Sequence, residues 1–164
     1  MKKLIIAALF ILPMTMFAQK FGHVNTTTLI QAMPEYTKAM EDMQKMQKEL
    51  EEEFTHMQSE FQTKYEEYEK NPPTIESIKQ RKEQELQELN NRMQQFAQNS
   101  QTDLQKAQQE KMAPILKKVQ DAIKEVGAAG GYVYIMDTSS GIPFINETIS
   151  TDVTSQIKTK LGIK

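Results

Sequence analysis

The sequence predicts an α+β protein in which a long antiparallel α-helical hairpin, a coiled-coil tentacle, projects from a small β body. Three observations carry that prediction. Two apolar stripes with alternating steps of three and four residues fill the middle of the chain, a Pro-Pro pair separates them, and the strongest strand pattern lies beyond them near the C-terminal end. The composition agrees. Among 164 residues, 38% are hydrophobic, 26% charged and 7% aromatic, with a mean hydropathy of −0.60, which leaves little material for a large compact core. With no Cys, a disulfide scaffold, thiol catalysis and Cys-ligated metal are excluded, and a formal charge of −2 excludes a bulk trap for nucleic acid. Methionine is the odd feature, at 11 residues in an otherwise hydrophilic chain.

Residues 1–18 read as a signal peptide. Lys2 and Lys3 precede an apolar run from Leu4 to Leu12, then Pro13, and Met16-Phe17-Ala18 offers a small residue at the cut, so cleavage is expected after Ala18. The apolar run is shorter than the roughly 20 residues of a spanning helix. Export to the periplasm follows from this pattern.

Next come Phe21 to Val24, a short strand, and a brief helix carrying Leu29, Ile30 and Met33, for which Asn25 or Thr26 is the cap. The first arm helix spans Glu35 to Lys70, a stretch without Gly or Pro. Its seam reads Tyr36, Met40, Met43, Gln47, Leu50, Phe54, Met57, Phe61, Lys64 and Tyr68, with eight of the ten positions apolar or aromatic. Lys64 stands beside Tyr65, as though the stripe drifts by one position there. Asn71-Pro72-Pro73-Thr74 forms the arm turn, because Pro restricts the residue before it and donates no backbone hydrogen bond, and Thr74 is the expected N-cap of the return helix. That second stripe includes Ile78, Leu86, Leu89, Met93, Phe96, Leu104, Met112, Ile115, Val119 and Val126, is interrupted by Pro114 where a kink is expected, and stops at Gly127, Gly130 and Gly131. So short a link makes the two helices antiparallel neighbours. Between Gln94 and Gln109, seven Gln and a seam containing Ser100 predict a flexible stretch.

Residues 19–34 and 127–164 form the body, and residues 35–126 the arm. In the body, Tyr132 to Met136 is β-branched and aromatic and bounded by Gly and by Asp137-Thr138-Ser139-Ser140-Gly141, so it reads as a strand. Ile142 to Ile145 is expected to return as its partner. A last helix, capped by Asp152 or Thr151, carries Val153, Ile157 and Leu161 on one face and ends at Gly162. Phe21, Val24, Leu29, Ile30, Val133, Ile135, Ile142, Phe144, Val153, Ile157 and Leu161 are the candidate oligomerisation body. A unit of this size without disulfide or metal needs further copies of itself.

No enzyme is visible. His23 and His56 lack an acidic or Cys cluster at metal-ligand spacing, Glu51-Glu52-Glu53 and Glu66-Glu67 read as a solvated helix face, and the glycines at 127–131 precede a strand where a phosphate loop would follow one. No cofactor, metal or nucleic acid is expected.

Read in order, the chain resembles the OmpH/Skp family of periplasmic chaperones for outer-membrane proteins. The residues that carry the likeness are Phe21-Gly22-His23-Val24-Asn25, Met33-Pro34-Glu35-Tyr36, Met112-Ala113-Pro114-Ile115 and Gly130-Gly131-Tyr132-Val133-Tyr134-Ile135-Met136-Asp137. The resemblance implies a homotrimer whose strands join in a central body, with three arms enclosing an unfolded outer-membrane protein without ATP. Asn25 stands where the family often has Asp. The arms also differ from basic members of the family: Glu35 to Lys70 holds eleven acids against five Lys, and Ile75 to Val126 nine basic residues against eight acids. That charge weighs against contact with lipopolysaccharide or an anionic membrane surface. Met40, Met43, Leu50, Phe54, Met57, Phe61, Tyr68, Leu86, Leu89, Met93 and Phe96 are the candidate arm seam or client-contact residues. Methionine suits varied partners because it is unbranched and polarizable, but it equally fills a seam. A structural coiled-coil spacer of the envelope, with no client, is the second reading of the same hairpin.

Overall fold

A computed structural model describes residues 19–163. The expected signal segment and its cleavage point lie outside the described residues. The element order is β1 (Lys20–Val24), α1 (Thr26–Gln31), α2 (Pro34–Lys70), α3 (Glu76–Gly130), β2 (Tyr132–Asp137), β3 (Ser150–Asp152) and α4 (Thr154–Leu161). Two long helices make the hairpin, and the remaining elements make the body at its root. At a rise of about 1.5 Å per residue, the 37 residues of α2 extend roughly 55 Å and the 55 of α3 roughly 80 Å. Among the described residues, no helix is long and apolar enough to cross a membrane.

Pro34 opens α2 at a position where its missing N–H costs nothing, and Glu35 places a negative charge in the first turn. Asn71 closes the helix through its amide to the Glu67 carbonyl. Thr74 is not the cap of α3. The chain takes one more extended residue to turn back, so the first helical turn closes on the Ile75 carbonyl, which accepts from Ile78 and Lys79 at 3.0 Å each. Helix α3 then continues without a break through Pro114 and Gly127 as far as Gly130. Of the three glycines expected to stop it, Gly127 and Gly130 lie within the helix and Gly131 is its cap. Gly131, at φ 66°, supplies the left-handed residue that stops the helix, and the Lys20 ammonium donates to the Gly130 carbonyl at 3.2 Å. A side chain at Gly130 would run into the Tyr132 ring, so the closing turn can pass this near the strand only without one.

The three strands form one parallel sheet in the order β2-β1-β3. Phe21 lies opposite Tyr134 on one side and Ser150 on the other. Ile142 to Ile145 is not a strand. It crosses the open face of the sheet as irregular chain, while the third strand is the short polar segment Ser150–Asp152, which pairs with β1 through its backbone. Asn25 caps α1 by accepting from the Thr28 amide at 3.0 Å. Val153 holds the position before α4, and Asp152 accepts from the Thr154 amide at 2.8 Å without being the cap residue itself.

The core joins body and arm root. Val24, Leu29, Met33, Val153 and Ile157 pack with Ala39 of α2 and Ile115, Val119 and Ala122 of α3. The arm roots therefore supply about half of the body's interior, and the period of both long helices is used twice: toward the body at one end, toward each other along the rest.

Candidate functional site

The arm is built as two long helices that face each other along a narrow seam. Phe54 and Phe96 stack with ring centroids 6.5 Å apart, and Tyr68 donates to Glu83 at 2.5 Å. Three ion pairs cross between the helices: Glu35 with Lys118, Asp42 with Lys111 at 2.7 Å, and Lys64 with Glu85. Residue numbers fall along one helix as they rise along the other, which is the antiparallel register. The hydrogen bond from Lys118 holds the Glu35 carboxyl below its ordinary range, and Lys111 does the same to Asp42. Glu85 is lowered by its bond from Lys64, whose own ammonium is raised by that bond. Lys64 thus occupies its seam position as a charge that crosses to α3, while the neighbouring Tyr65 faces solvent and stacks on Phe61.

Of the candidate arm residues, only Leu89 is fully enclosed, at 1% exposure. Met43, Leu50, Phe54, Met57, Phe61, Tyr68, Leu86, Met93 and Phe96 are half-buried, and Met40 is exposed. The seam is therefore wet along most of its length, with apolar flanks open to solvent on both sides. Midway, the Ser100 hydroxyl is buried without a hydrogen-bond partner. At the turn, Asn71 and Pro72 are exposed and Pro73 half-buried.

The candidate body residues divide into two sets. Val24, Leu29, Val153 and Ile157 are spent in the chain's own core, with Ile30, Ile135 and Leu161 packed against it. Phe21, Ile142 and Phe144 lie on the open face of the sheet. There Phe21 and Tyr134 rings pack at 4.9 Å, and with Met136, Ile142, Phe144 and Ile149 they line a shallow hollow of about 200 Å³. Phe144 is 78% exposed and Ile149 64%. Val133 is exposed as well. Tyr134, Met136 and Ile149 were not among the expected body residues, although strict alternation from Phe21 through the parallel register would have placed Tyr134 on this face. His23 lies in the same hollow with Nδ1 2.9 Å from the Ser150 hydroxyl. Among the described residues, no group of three or more His, Cys, Asp or Glu is placed to hold a metal ion.

Comparison with known proteins gives this arrangement a context. The family model described as outer membrane protein (OmpH-like) matches residues 20–161. The chain is 29% identical over 125 residues to the chaperone protein Skp of Vibrio cholerae serotype O1, covering 75% of this chain and 73% of that protein. It is 27% identical over 143 residues to the chaperone protein Skp of Yersinia enterocolitica, covering 86% and 87%. The crystal structure of an OmpH-like protein from Caulobacter crescentus superposes with a TM-score of 0.75 at 13% identity, over 87% of this chain and 83% of that one, and so shares the fold. The match spans nearly every described residue, body and arm alike, and the chain belongs to the OmpH-like outer membrane protein family.

Proposed function

We propose that this chain is an ATP-independent holdase of the periplasm, which as a homotrimer encloses unfolded outer-membrane proteins between its arms and prevents their aggregation. The observation that carries this reading is the pairing of an uncovered apolar face on the body with arms much longer than the body they leave. Tyr134, Met136, Phe144 and Ile149 form an exposed apolar patch of the kind that marks a site for a protein partner. Joining three copies through these faces supplies the core that one body lacks and sets three arms around a common axis. The relatives from Vibrio cholerae and Yersinia enterocolitica are named as chaperones, which supports the same reading.

The physical basis of holding is many weak contacts. An unfolded β-barrel protein exposes alternating apolar side chains, and a half-buried seam flanked by Met40, Met43, Met57 and Met93 offers adaptable apolar surface along the arm. The acids of α2 stay solvated, several of them paired along their own helix, such as Glu49 with Lys45 and Glu52 with Lys48, which keeps the outer arm surface soluble. Release then needs no chemical step, because each contact is individually weak.

The test is dilution of a denatured outer-membrane β-barrel protein into buffer with and without the purified chain, followed by light scattering. Suppression at one trimer per client is the expected result. Unchanged scattering would replace the holdase with the envelope spacer, a reading in which the half-buried seam serves helix packing alone. Analytical sedimentation decides the assembly separately: a monomer at micromolar concentration removes the enclosed cavity.

A further inference from the structure

At the arm root, three methionines converge on one groove. Met40 and Met43, on one face of α2, and Met112, on the facing side of α3, line a hollow of about 390 Å³ together with Tyr36, Gln47 and Gln108. The three differ in access. Met40 is 42% exposed, Met43 and Met112 are half-buried, and Met112 also packs against the buried core. The groove thus leads from an open thioether to one that touches the interior of the body. Most of its wall is apolar carbon and sulfur, and the glutamine amides at its edge are hydrogen-bond donors.

We propose that Met40, Met43 and Met112 form an oxidation site, at which a peroxide converts the thioethers to sulfoxides in the order of their exposure and so weakens the hold of the arm on its client. In each step the sulfur lone pair attacks one oxygen of hydrogen peroxide. The S–O bond forms as the O–O bond breaks, and the departing hydroxide takes the proton of the transferred oxygen to leave as water. Sulfur is oxidised by two electrons and the peroxide reduced by two. The product is a strong acceptor on a formerly apolar side chain. Gln47 and Gln108 line the same groove and can donate to the sulfoxide, so the groove turns polar while Met33 in the body core, only 1% exposed, stays reduced. The groove loses its apolar character and with it the adaptable surface that methionine provides.

The effect on clients rests on the proposed holdase, whereas the site itself does not. The purified chain is treated with hydrogen peroxide, and sulfoxides are mapped over time by peptide mass spectrometry. Met40 is expected to react about tenfold faster than Met33, with Met43 and Met112 between them, as susceptibility follows exposure. Met40 reacting no faster than Met33 overturns the site. In the second arm, the amount of treated chain needed to halve client aggregation is expected to rise about fivefold, and methionine sulfoxide reductases acting on both epimers restore it. The variant M40L/M43L/M112L is compared with itself before and after peroxide, whatever its starting level, and its loss is expected to be clearly smaller than that of the parent, what remains coming from Met57 and Met93, which are half-buried on the same seam. An equal loss in that variant overturns the assignment to these three residues. If the untreated chain fails to hold the client, the proposed function falls, and the mapping still decides whether the site exists.

Discussion

The carboxylate of Asp137 accepts four hydrogen bonds, from the amide and hydroxyl of Thr26 at 3.2 and 2.6 Å and from the amide and hydroxyl of Ser139, both at 2.9 Å. Burial pushes this carboxyl up, but the bonds from Thr26 and Ser139 outweigh it and hold the group below the ordinary Asp range. A carboxyl so lowered stabilises the fold fully above its ordinary pKa near 4 and loses that contribution as pH falls through the folded value. Replacing Asp137 with Ala is expected to cost about 1 kcal/mol, discounted for the solvent around the group, with a lower melting temperature at pH 7 and a smaller difference from the parent near pH 2. Thermal melting followed by circular dichroism at the two pH values checks this. Asp137 was legible as the polar end of a strand, since it follows five strand-forming residues and precedes a turn. Its partner Thr26 was not, because nothing local connects residues 111 positions apart.

Helices were the most legible elements, and the reason is their period. A stripe sustained over ten turns fixes a helix and its inward face without knowledge of the partner, and Pro72 marks where it must stop. β3 was illegible for the opposite reason. Ser150-Thr151-Asp152 is short and polar, so its place in the sheet comes from backbone pairing to β1, whereas Ile142 to Ile145 looks like a strand and lies as loop over the apolar face. The flexible stretch read from the glutamines meets Ser100, whose hydroxyl is enclosed without a partner. An arm short of contacts there is expected to open locally, so amide hydrogen exchange between residues 94 and 109 should be faster than around Ile115 and Val119, which pack into the body core. Equal protection along α3 would contradict this. The cross-helix ion pairs add a pH window. Glu35, Asp42 and Glu85 are all lowered, so their support of the arm is intact above about pH 5 and fades below about pH 4. Lys64 is raised, so its share is lost only as pH climbs beyond the ordinary lysine range. Arm melting is therefore expected to be flat across neutral pH, to fall on acidification, and to soften with added salt because these pairs are solvent-exposed.

At the scale of the molecule, the sequence showed that the body was too small for its own interior but not where the missing contacts lay. Four of the nine buried core residues come from the arm roots: Ile115 and Val119, which the second stripe had included, and Ala39 and Ala122, which lie on neither stripe. The side chains of the open sheet face stay uncovered in the single chain. For the proposed trimer, Phe144→Asp is expected to leave the helical spectrum unchanged and to shift the sedimenting species to monomer, since the residue is 78% exposed in the single chain and is not part of its core. A variant still trimeric would place the interface elsewhere. Met136, as open in one chain as Met40 at 43%, gives an independent report: a trimer that covers it slows its oxidation. β1 is the middle strand, yet both of its neighbours come from the other end of the chain, after the whole hairpin. The arm closes through local contacts, whereas the sheet must wait for residues beyond Tyr132. As the chain emerges, its N-terminal end first, the tool is therefore shaped before the handle. In the proposed trimer, a copy whose sheet face forms the interface joins another only after β2 and β3 have been delivered, so the sheet would act as a completeness check on every subunit.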